Sequence, residues 1–374
     1  MPASWTAERL VRDIGRLAAR GLAREAFFEE ASDRLRHSVA ADGACWHTID
    51  PATLLLTSDV RQSVPDCTTD LVSSEYGGLD DANRYSELAT RRRPVGILSQ
   101  ATGGHPERSA RYRDMLAPSG VPIELRATFV AKRRAWGSVC LVRQSGRKDF
   151  TAADAALLAR LSRPMAEGVR SSLLVSAAGR EDEPGGPGLV VLDGRGEVEL
   201  ITPAAGPLFE ELRPSGVRES EEAPPAAVLA VAAAARAATR HGPRGSVRVP
   251  APARGGGWLT LHASLPAGQD DRVAVIIERS AGSEAAPLRL EAYGLTARER
   301  EIAALLVQGL STADIVARLV LSPHTVQDHL KNIFDKTGVR TRRELVARVF
   351  FTDYLPRWQA HEPLGADGAF VADA

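Results

Sequence analysis

The sequence predicts a multidomain fold, α/β over the first three quarters of the chain and all-α near its C-terminus. At 374 residues the chain is too long for one ordinary hydrophobic core. Strand-like runs bounded by turn residues recur between helical segments up to about residue 280, whereas later apolar residues recur only at helical spacing. Two segments of small and turn-forming residues, 181–187 and 281–289, act as linkers. They separate three predicted domains, 1–180, 188–280 and 290–355, and a predicted disordered tail, 356–374.

The first domain is predicted to be α/β. Its expected elements are a helical stretch from Trp5 to about Val39, strands at 44–50 and 53–59, a helix near 109–116, strands at 124–131 and 137–144, and a long helix capped by Thr151. This order resembles a GAF-type sensory domain, above all in WGSVCLVR (136–143) and DFTAADAALLARL (149–161). The resemblance implies a cavity between the sheet and the variable middle, at roughly 60–120. An unidentified small molecule is therefore a candidate partner of this GAF-like domain.

The second domain is predicted to be a smaller α/β unit. A hairpin turning at Asp193-Gly194 is followed by a short helix, an Ala-rich helix at 226–239 and strand runs at 258–265 and 272–279. The opening hairpin, the phrase TPAAGPLF and the closing strands resemble a small PAS domain. The Ala-rich middle weighs against a full ligand pocket.

The third domain contains four sequence signals for the start of a helix. A Ser or Thr is followed three residues later by an acid in three pairs: Thr296 with Glu299, Ser311 with Asp314, and Thr341 with Glu344. Each pair fits a capping box, and Ser322-Pro323 is a fourth N-cap signal. Gly309 and Gly338 stand where C-cap residues are expected. These signals predict four short helices.

The apolar residues of these helices recur on one face of each. They are Ile302, Leu305 and Leu306; Ile315 and Leu319; Val326, Leu330, Ile333 and Phe334; Leu345 and Val349. Only Val320-Leu321-Ser322 joins the second helix to the third, which is the turn length of a helix-turn-helix. In that motif the helix after the turn enters the DNA major groove.

The segments LTARERE, STADIVARL and LSPHTVQDHLKNIFDKTGVRTRRELV resemble the DNA-binding domain of the LuxR family of bacterial transcription regulators. The resemblance covers about sixty residues, and it implies roles for individual positions. Ser322 and Thr325 match positions that cap the recognition helix and touch phosphate. Gln327, Asp328 and Lys331 match positions that face the groove. The positions expected near the DNA backbone are Lys336, Arg340 and Arg342, and His324 at the helix start could touch phosphate or nothing.

The chemistry of these side chains agrees with most of those roles. Gln can bond bidentately to adenine, and Lys can donate to guanine O6 and N7. Asp328 either accepts from a cytosine amine or points to solvent, and both alternatives stay open. The whole chain carries 47 basic and 47 acidic residues, so any basic surface must be local. Six Lys or Arg against three acids between Ser322 and Phe351 supply such a surplus.

No metal or cofactor site is predicted. Cys45, Cys67 and Cys140 form no C-x-x-C motif, so they are expected to be buried small side chains, with a redox sensor as the less favoured alternative. His37, His47 and His105 lack ligand spacing. The apolar run 223–235 is too short to span a bilayer, and no signal peptide is apparent, which predicts a cytoplasmic protein.

The leading functional prediction is a one-component transcription regulator, with sensory domains modulating DNA binding. No receiver-like repeat with a phosphoacceptor Asp is visible. Two alternatives are a signalling enzyme, which lacks every catalytic motif sought, and a protein-interaction adaptor with a degenerate DNA-binding module. The family resemblance implies a homodimer on double-stranded DNA, paired through the fourth helix. The residues expected at that contact are Val346, Val349 and Phe350.

Overall fold

A computed structural model provides the fold. It describes residues 3–64, 68–77, 81–176, 186–213, 224–241, 246–254, 256–266, 271–280, 293–307, 310–342 and 344–345. These residues form two units, the first holding the described residues up to Arg279 and the second those from Ser280 onward. The region before the C-terminal helices is mixed α/β, as the sequence predicts.

The first unit begins with a five-stranded antiparallel sheet. Its strands are β1 (Gly43–Ile49), β2 (Leu56–Gln62), β3 (Val95–Ile97), β4 (Ile123–Ala131) and β5 (Arg134–Arg143). They lie in the order β2-β1-β5-β4-β3. The prediction of a strand at 53–59 is wrong by three residues. The Asp50 carboxylate accepts from the Thr53 amide at 2.9 Å, and Leu54 has a φ of 62°, so the turn extends further.

Helices cover both faces of this sheet. They are α1 (Ala3–Ala18), α2 (Arg24–Leu35), α3 (Thr68–Tyr76), α4 (Tyr85–Thr90), α5 (Leu98–Ala101) and α6 (Ala152–Ser176), with a 3₁₀ turn at Pro106–Arg108 and a π turn at Tyr112–Leu116. The single helical stretch expected up to Val39 is wrong, because it is broken at Gly21, whose φ is 62°. Stacked rings of Phe28, Trp46 and Phe129 fill the face under α2 and α6.

A second antiparallel sheet follows in the same unit. Its strands are β6 (Gly188–Leu192), β7 (Val198–Ile201), β8 (Val247–Pro252), β9 (Trp258–Ser264) and β10 (Val273–Arg279), and its helices are α7 (Ala205–Leu212) and α8 (Ala226–His241). The order β7-β6-β10-β9-β8 repeats the pattern of the first sheet. Strand β8 is not among the predicted strands, because it contains Pro250 and Pro252. Since β8 is an edge strand, those prolines are tolerated.

The Ala-rich helix α8 joins the cores of the two sheets. It packs against β8, β9 and β10 on one side and against α3 and β2 on the other. Residues from both sheets therefore belong to one continuous apolar cluster. The first ten residues of α8, 226–235, are all apolar, and such a segment needs burial on all sides, which this sandwiched position provides.

The second unit consists of helices in the described residues. They are α9 (Ala297–Val307), α10 (Thr312–Leu319) and α11 (Pro323–Thr337). The predicted fourth helix lies mostly outside the described residues, as do Val346, Val349, Phe350, Gly309 and the tail 356–374. Among the described helices, none is long and apolar enough to cross a bilayer.

Candidate nucleic-acid interface

A small apolar core holds α9, α10 and α11 together. Its buried members are Leu295, Ile302, Ala303, Leu305, Leu306, Ile315, Val326, Leu330, Ile333, Val339 and Leu345. Leu319, Leu321 and Phe334 pack against its edge. The predicted apolar faces are confirmed wherever their residues are described, so helical periodicity alone located this core.

The predicted caps form hydrogen bonds at the helix ends. Ser311 and Asp314 make a reciprocal capping box at α10. Glu299 and Thr296 do the same at α9, with the Glu299 amide donating to Thr296 Oγ1 at 3.2 Å and the Thr296 amide donating to Glu299. At α11 the Thr325 amide donates to Ser322 Oγ at 3.0 Å. Gly338 ends α11 in the left-handed conformation expected of a C-cap.

The turn between α10 and α11 is tight and strained. Val320 ends α10 with φ 52° and ψ 49°, a left-handed conformation that a β-branched residue adopts only at a cost. Its side chain is 89% exposed. The Arg298 guanidinium donates to the Leu319 carbonyl at 2.8 Å, which anchors the end of α10 to α9. The turn therefore sets the direction in which α11 leaves α10.

Helix α11 presents two opposite faces. Val326, Leu330, Ile333 and Thr337 are buried against the domain core. The exposed stripe on the far side contains His324, Gln327, Asp328, Lys331 and Asp335. Because residues three and four apart share a helix face, this stripe is continuous and about 180° from the core. The two positions expected to read bases, Gln327 and Lys331, both lie on it.

The acidic and imidazole groups of this stripe are neighbours. His324 Nδ1 lies 3.5 Å from Asp328 Oδ2, and both side chains are largely exposed. Asp328 therefore has a local partner whenever His324 is protonated. His329, which is half-buried, flanks the stripe. Ser322 Oγ and Thr325 Oγ1 are 2.8 Å apart at the start of the helix.

Two basic residues expected near the DNA backbone make contacts within the domain. Lys336 Nζ lies 2.6 Å from Oε1 of Glu299, whose side chain is only 4% exposed. Burial would raise the pKa of Glu299, but the Lys336 ammonium and the Thr296 amide outweigh it and lower that pKa. The Arg342 guanidinium donates to the Leu310 carbonyl. Arg340, the third predicted backbone contact, has an exposed side chain.

A cavity of about 40 Å³ lies against the first sheet. It is bounded by β1, β2 and β5 on one side and by α3 and the π turn on the other, in the region where the GAF resemblance implies a cavity. Its lining is mostly apolar and includes Met115. The lining residues that carry a thiol or a polar group are Cys45, Arg61, Thr68 and Cys140.

Beside this cavity lies a buried ion cluster that was not predicted from the sequence. Arg111 pairs with Glu124 at 2.7 Å, and Arg126 pairs with Glu124 and Glu75, each at 3.0 Å. Burial raises the pKa of Glu124, but the guanidinium groups of Arg111 and Arg126 outweigh it and lower that pKa to about 2. Four buried groups in and around this cluster, Asn83 Nδ2, Tyr85 Oη, Arg111 Nη1 and Arg126 Nη2, make no hydrogen bond within the described structure.

The signal for this cluster was the alternation of Glu124, Arg126 and Thr128 with apolar residues along β4. Such alternation is typical of a strand with one solvated face. In this protein α4 packs on β4, and Arg111, just before the π turn, pairs with Glu124, so the charges of that face are buried and paired with one another.

Comparison with known proteins identifies relatives of the C-terminal unit. The family model described as "Bacterial regulatory proteins, luxR family" matches residues 294–349. Spore germination protein GerE of Bacillus subtilis (strain 168) is 42% identical over 55 residues, which is 15% of this chain and 74% of GerE. An HTH-type transcriptional regulator of Mycobacterium bovis is 39% identical over 77 residues, 20% of this chain but only 8% of that protein.

Among solved structures, Escherichia coli SdiA aligns with 94% of this chain and 98% of its own, at 12% identity and a TM-score of 0.33. A score this low supports no structural conclusion. The sequence matches to GerE and to the mycobacterial regulator are short, and the chain spans less than a tenth of the length of the latter.

Proposed function

This chain belongs to the LuxR family of bacterial regulatory proteins, and from that premise we propose that it is a sequence-specific, one-component transcription regulator. Its C-terminal unit binds double-stranded DNA, and α11 is the helix that enters the major groove. The observation that carries this proposal is the exposed stripe of α11. It holds side chains suited to base edges directly opposite a packed core, at the end of a turn of helix-turn-helix length.

Within this proposal, Gln327 and Lys331 read bases. Both are exposed and one helical turn apart, so they can reach neighbouring base pairs at once. Ser322, Thr325 and His324 lie at the N-terminal end of α11, where a helix favours a phosphate oxygen. Arg340 contacts the backbone. Lys336 and Arg342 both make contacts within the domain. A phosphate contact by either residue is a further part of the proposal.

The charge of the stripe favours base readout over general attraction. Asp328 and Asp335 outnumber Lys331 on it, so the face of α11 is not basic when His324 is neutral. Sequence-independent affinity comes mainly from phosphate contacts by cations. The domain should therefore bind arbitrary duplexes weakly and rely on a matching site. In that setting Asp328 selects against sequences that cannot offer it a cytosine amine.

We further propose that the first unit is the sensory part, with a GAF-like domain followed by a PAS-like one. Supporting this, the first sheet has the predicted order of strand pair, middle segment, strand pair and closing helix. The cavity between that sheet and its middle segment is the candidate effector site. Its volume of about 40 Å³ means that a ligand bound in this conformation must be very small.

Helix α8 offers a physical route between the two sheets. Since it packs on both, a change in the first sheet that moves α3 or β2 must be accommodated by α8. A ligand can alter DNA affinity only if it binds two states of the protein differently. We propose a homodimer on DNA, with Val346, Val349 and Phe350 at the contact, because paired modules read paired half-sites.

The test is selection of bound DNA from a random duplex library by the full-length protein at two salt concentrations. Recovery of a palindrome with half-sites about one helical turn apart supports a dimeric, sequence-specific regulator. Weak, salt-sensitive retention without any motif would contradict it and favour the adaptor alternative. The matched control is the double variant Gln327→Ala, Lys331→Ala, which keeps the core of the domain and should lose the motif.

A further inference from the structure

Two of the three cysteines stand directly opposite each other in the first sheet. Cys45 of β1 and Cys140 of β5 are register partners in an antiparallel pair. The same row continues to Arg61 on β2 and to Arg126 on β4. The two thiols are therefore the centre of a cross-strand row with a cationic residue at either end.

The spacing of such a pair suits a covalent bond. Directly opposed residues in antiparallel strands have Cα atoms about 4.5–5.5 Å apart. Disulfides join residues whose Cα atoms are about 4.4–6.8 Å apart. Side chains of an opposed pair also lie on the same face of the sheet, and here both line the cavity of about 40 Å³. The Cα spacing of such a pair therefore lies within the range that a disulfide spans.

Each thiol has another partner in the present conformation. Cys45 Sγ lies 3.2 Å from His47 Nε2, and Cys140 Sγ donates to Glu124 Oε1 at 3.4 Å. Rotation about the Cα–Cβ bond of each cysteine would exchange these contacts for a sulfur–sulfur bond. Cys45 is half-buried and Cys140 is 7% exposed, and both line the cavity, so a small reactant that enters it can reach them.

We propose that Cys45 and Cys140 form a reversible cross-strand disulfide when the protein meets a small hydroperoxide. This modification site goes beyond DNA binding and does not require an effector in the cavity. The volume of the cavity is that of one or two water-sized molecules, which matches hydrogen peroxide and excludes bulky oxidants.

The chemistry takes two steps. In the first, Cys45 sulfur attacks the nearer peroxide oxygen, the O–O bond breaks, and the thiol proton leaves with the departing alkoxide or hydroxide as an alcohol or water. In the second, Cys140 sulfur attacks the Cys45 sulfenic acid, an S–S bond forms, and the hydroxide leaves as water with the Cys140 proton. Two thiols are oxidised by two electrons and one hydroperoxide is reduced.

The order of the steps follows from the surroundings of each thiol. Burial, reinforced by the Glu124 carboxylate, raises the pKa of Cys140, so this thiol is the weaker nucleophile and reacts second, losing its proton as the S–S bond forms. Burial, and then the Arg126 charge, lower the pKa of His47 to about 3, so the imidazole beside Cys45 is neutral. Oxidation removes the donor that Cys140 offers Glu124, and Glu124 is the carboxylate shared by Arg111 and Arg126. A disulfide would thus disturb the ion cluster beside the cavity.

The test uses the full-length protein, reduced and then treated with hydrogen peroxide. The number of thiols that react with a maleimide after denaturation should fall from three to one. Non-reducing peptide mapping should find the Cys45 and Cys140 peptides joined, lighter together by two hydrogen atoms. A dithiol reductant should restore all three thiols.

Three variants make the outcome decisive. Cys67→Ser should still form the linkage, whereas Cys45→Ser and Cys140→Ala should abolish it. In Cys140→Ala, Cys45 should instead gain one oxygen atom. A linkage through Cys67, oxygen added independently to each thiol, or an unchanged thiol count would overturn the proposal. DNA selection by the reduced protein is measured in parallel, so failure of the disulfide and failure of the proposed function are separate results.

Discussion

The ion pair between Lys336 and Glu299 connects the end of α11 to the start of α9. The variant Lys336→Met should show how much this pair contributes to the stability of the unit. Both Glu299 oxygens accept from Lys336, and one also accepts from the Thr296 amide. The side chains are 29% and 4% exposed. Breaking a fully buried pair costs about 3–5 kcal/mol, whereas surface pairs contribute about 0–1 kcal/mol. For a pair with one buried and one partly exposed member we expect about 2 kcal/mol.

The assay is amide hydrogen exchange of the full-length protein, followed on peptides from α9 and α11. A loss of about 2 kcal/mol should speed exchange there about 30-fold, with α1–α8 unchanged. Glu299→Gln is the matched control, because it keeps an acceptor for the Thr296 amide while removing the charge. If the two groups interact directly, the double variant should lose less than the sum of the single variants.

The pH dependence has a definite sign. The folded-state pKa of Glu299 is lowered, so its contribution to stability is present above the ordinary Glu pKa of 4.5 and is lost as the pH falls through the folded value. Lys336→Met should flatten that acid-side loss. Unchanged exchange in Lys336→Met would refute the reasoning and leave Lys336 available for phosphate. In that case the same variant should lower the salt slope of DNA binding by about one unit.

Three further predictions concern the DNA-binding unit. Gln327→Ala or Lys331→Ala should each cost about 1–3 kcal/mol at the selected site and relax base preference in a competition titration, whereas equal loss on every sequence would mean contact with phosphate alone. Arg340→Ala should weaken binding to all duplexes and reduce the salt slope by about one unit, and an unchanged slope would remove it from the backbone contacts. Val320→Gly should slow exchange in α10 and α11 by relieving the left-handed strain, with a net gain of about 1 kcal/mol after the added chain entropy of glycine. Faster exchange would show that the Val320 conformation costs little.

Local signals located the C-terminal unit because they act over one helical turn. Ser311, Ser322 and Gly338 each satisfy backbone groups within a few residues of themselves, so their positions in the sequence predict helix ends directly. The stripe containing Gln327 and Lys331 follows from the same periodicity. What periodicity could not indicate is that Lys336 reaches a carboxylate 37 residues earlier, because that contact depends on how α9 crosses α11.

The upstream region was harder to predict because its important contacts are distant in sequence. The polar residues that alternate with apolar ones along β4 are buried, although such alternation is typical of a strand with one solvated face. Strand β8 contains prolines, which are typical of loops. In both cases position within the sheet overrides the local pattern. The pairing of Cys45 with Cys140, 95 residues apart, likewise depends on β1 and β5 being neighbours in a sheet whose order is not the order of the chain.

The amino-acid sequence by itself predicted the class of the protein, the helix ends of its C-terminal unit and the exposed stripe of α11, because caps and periodicity are local and backbone groups must be satisfied wherever they occur. Only the tertiary structure decided which charged side chains bond within the domain, which face of β4 is covered, and which cysteines lie opposite each other in the sheet. Those outcomes are set by packing between elements far apart in the chain, where burial changes the energy of a charge or a thiol more than its neighbours in sequence can.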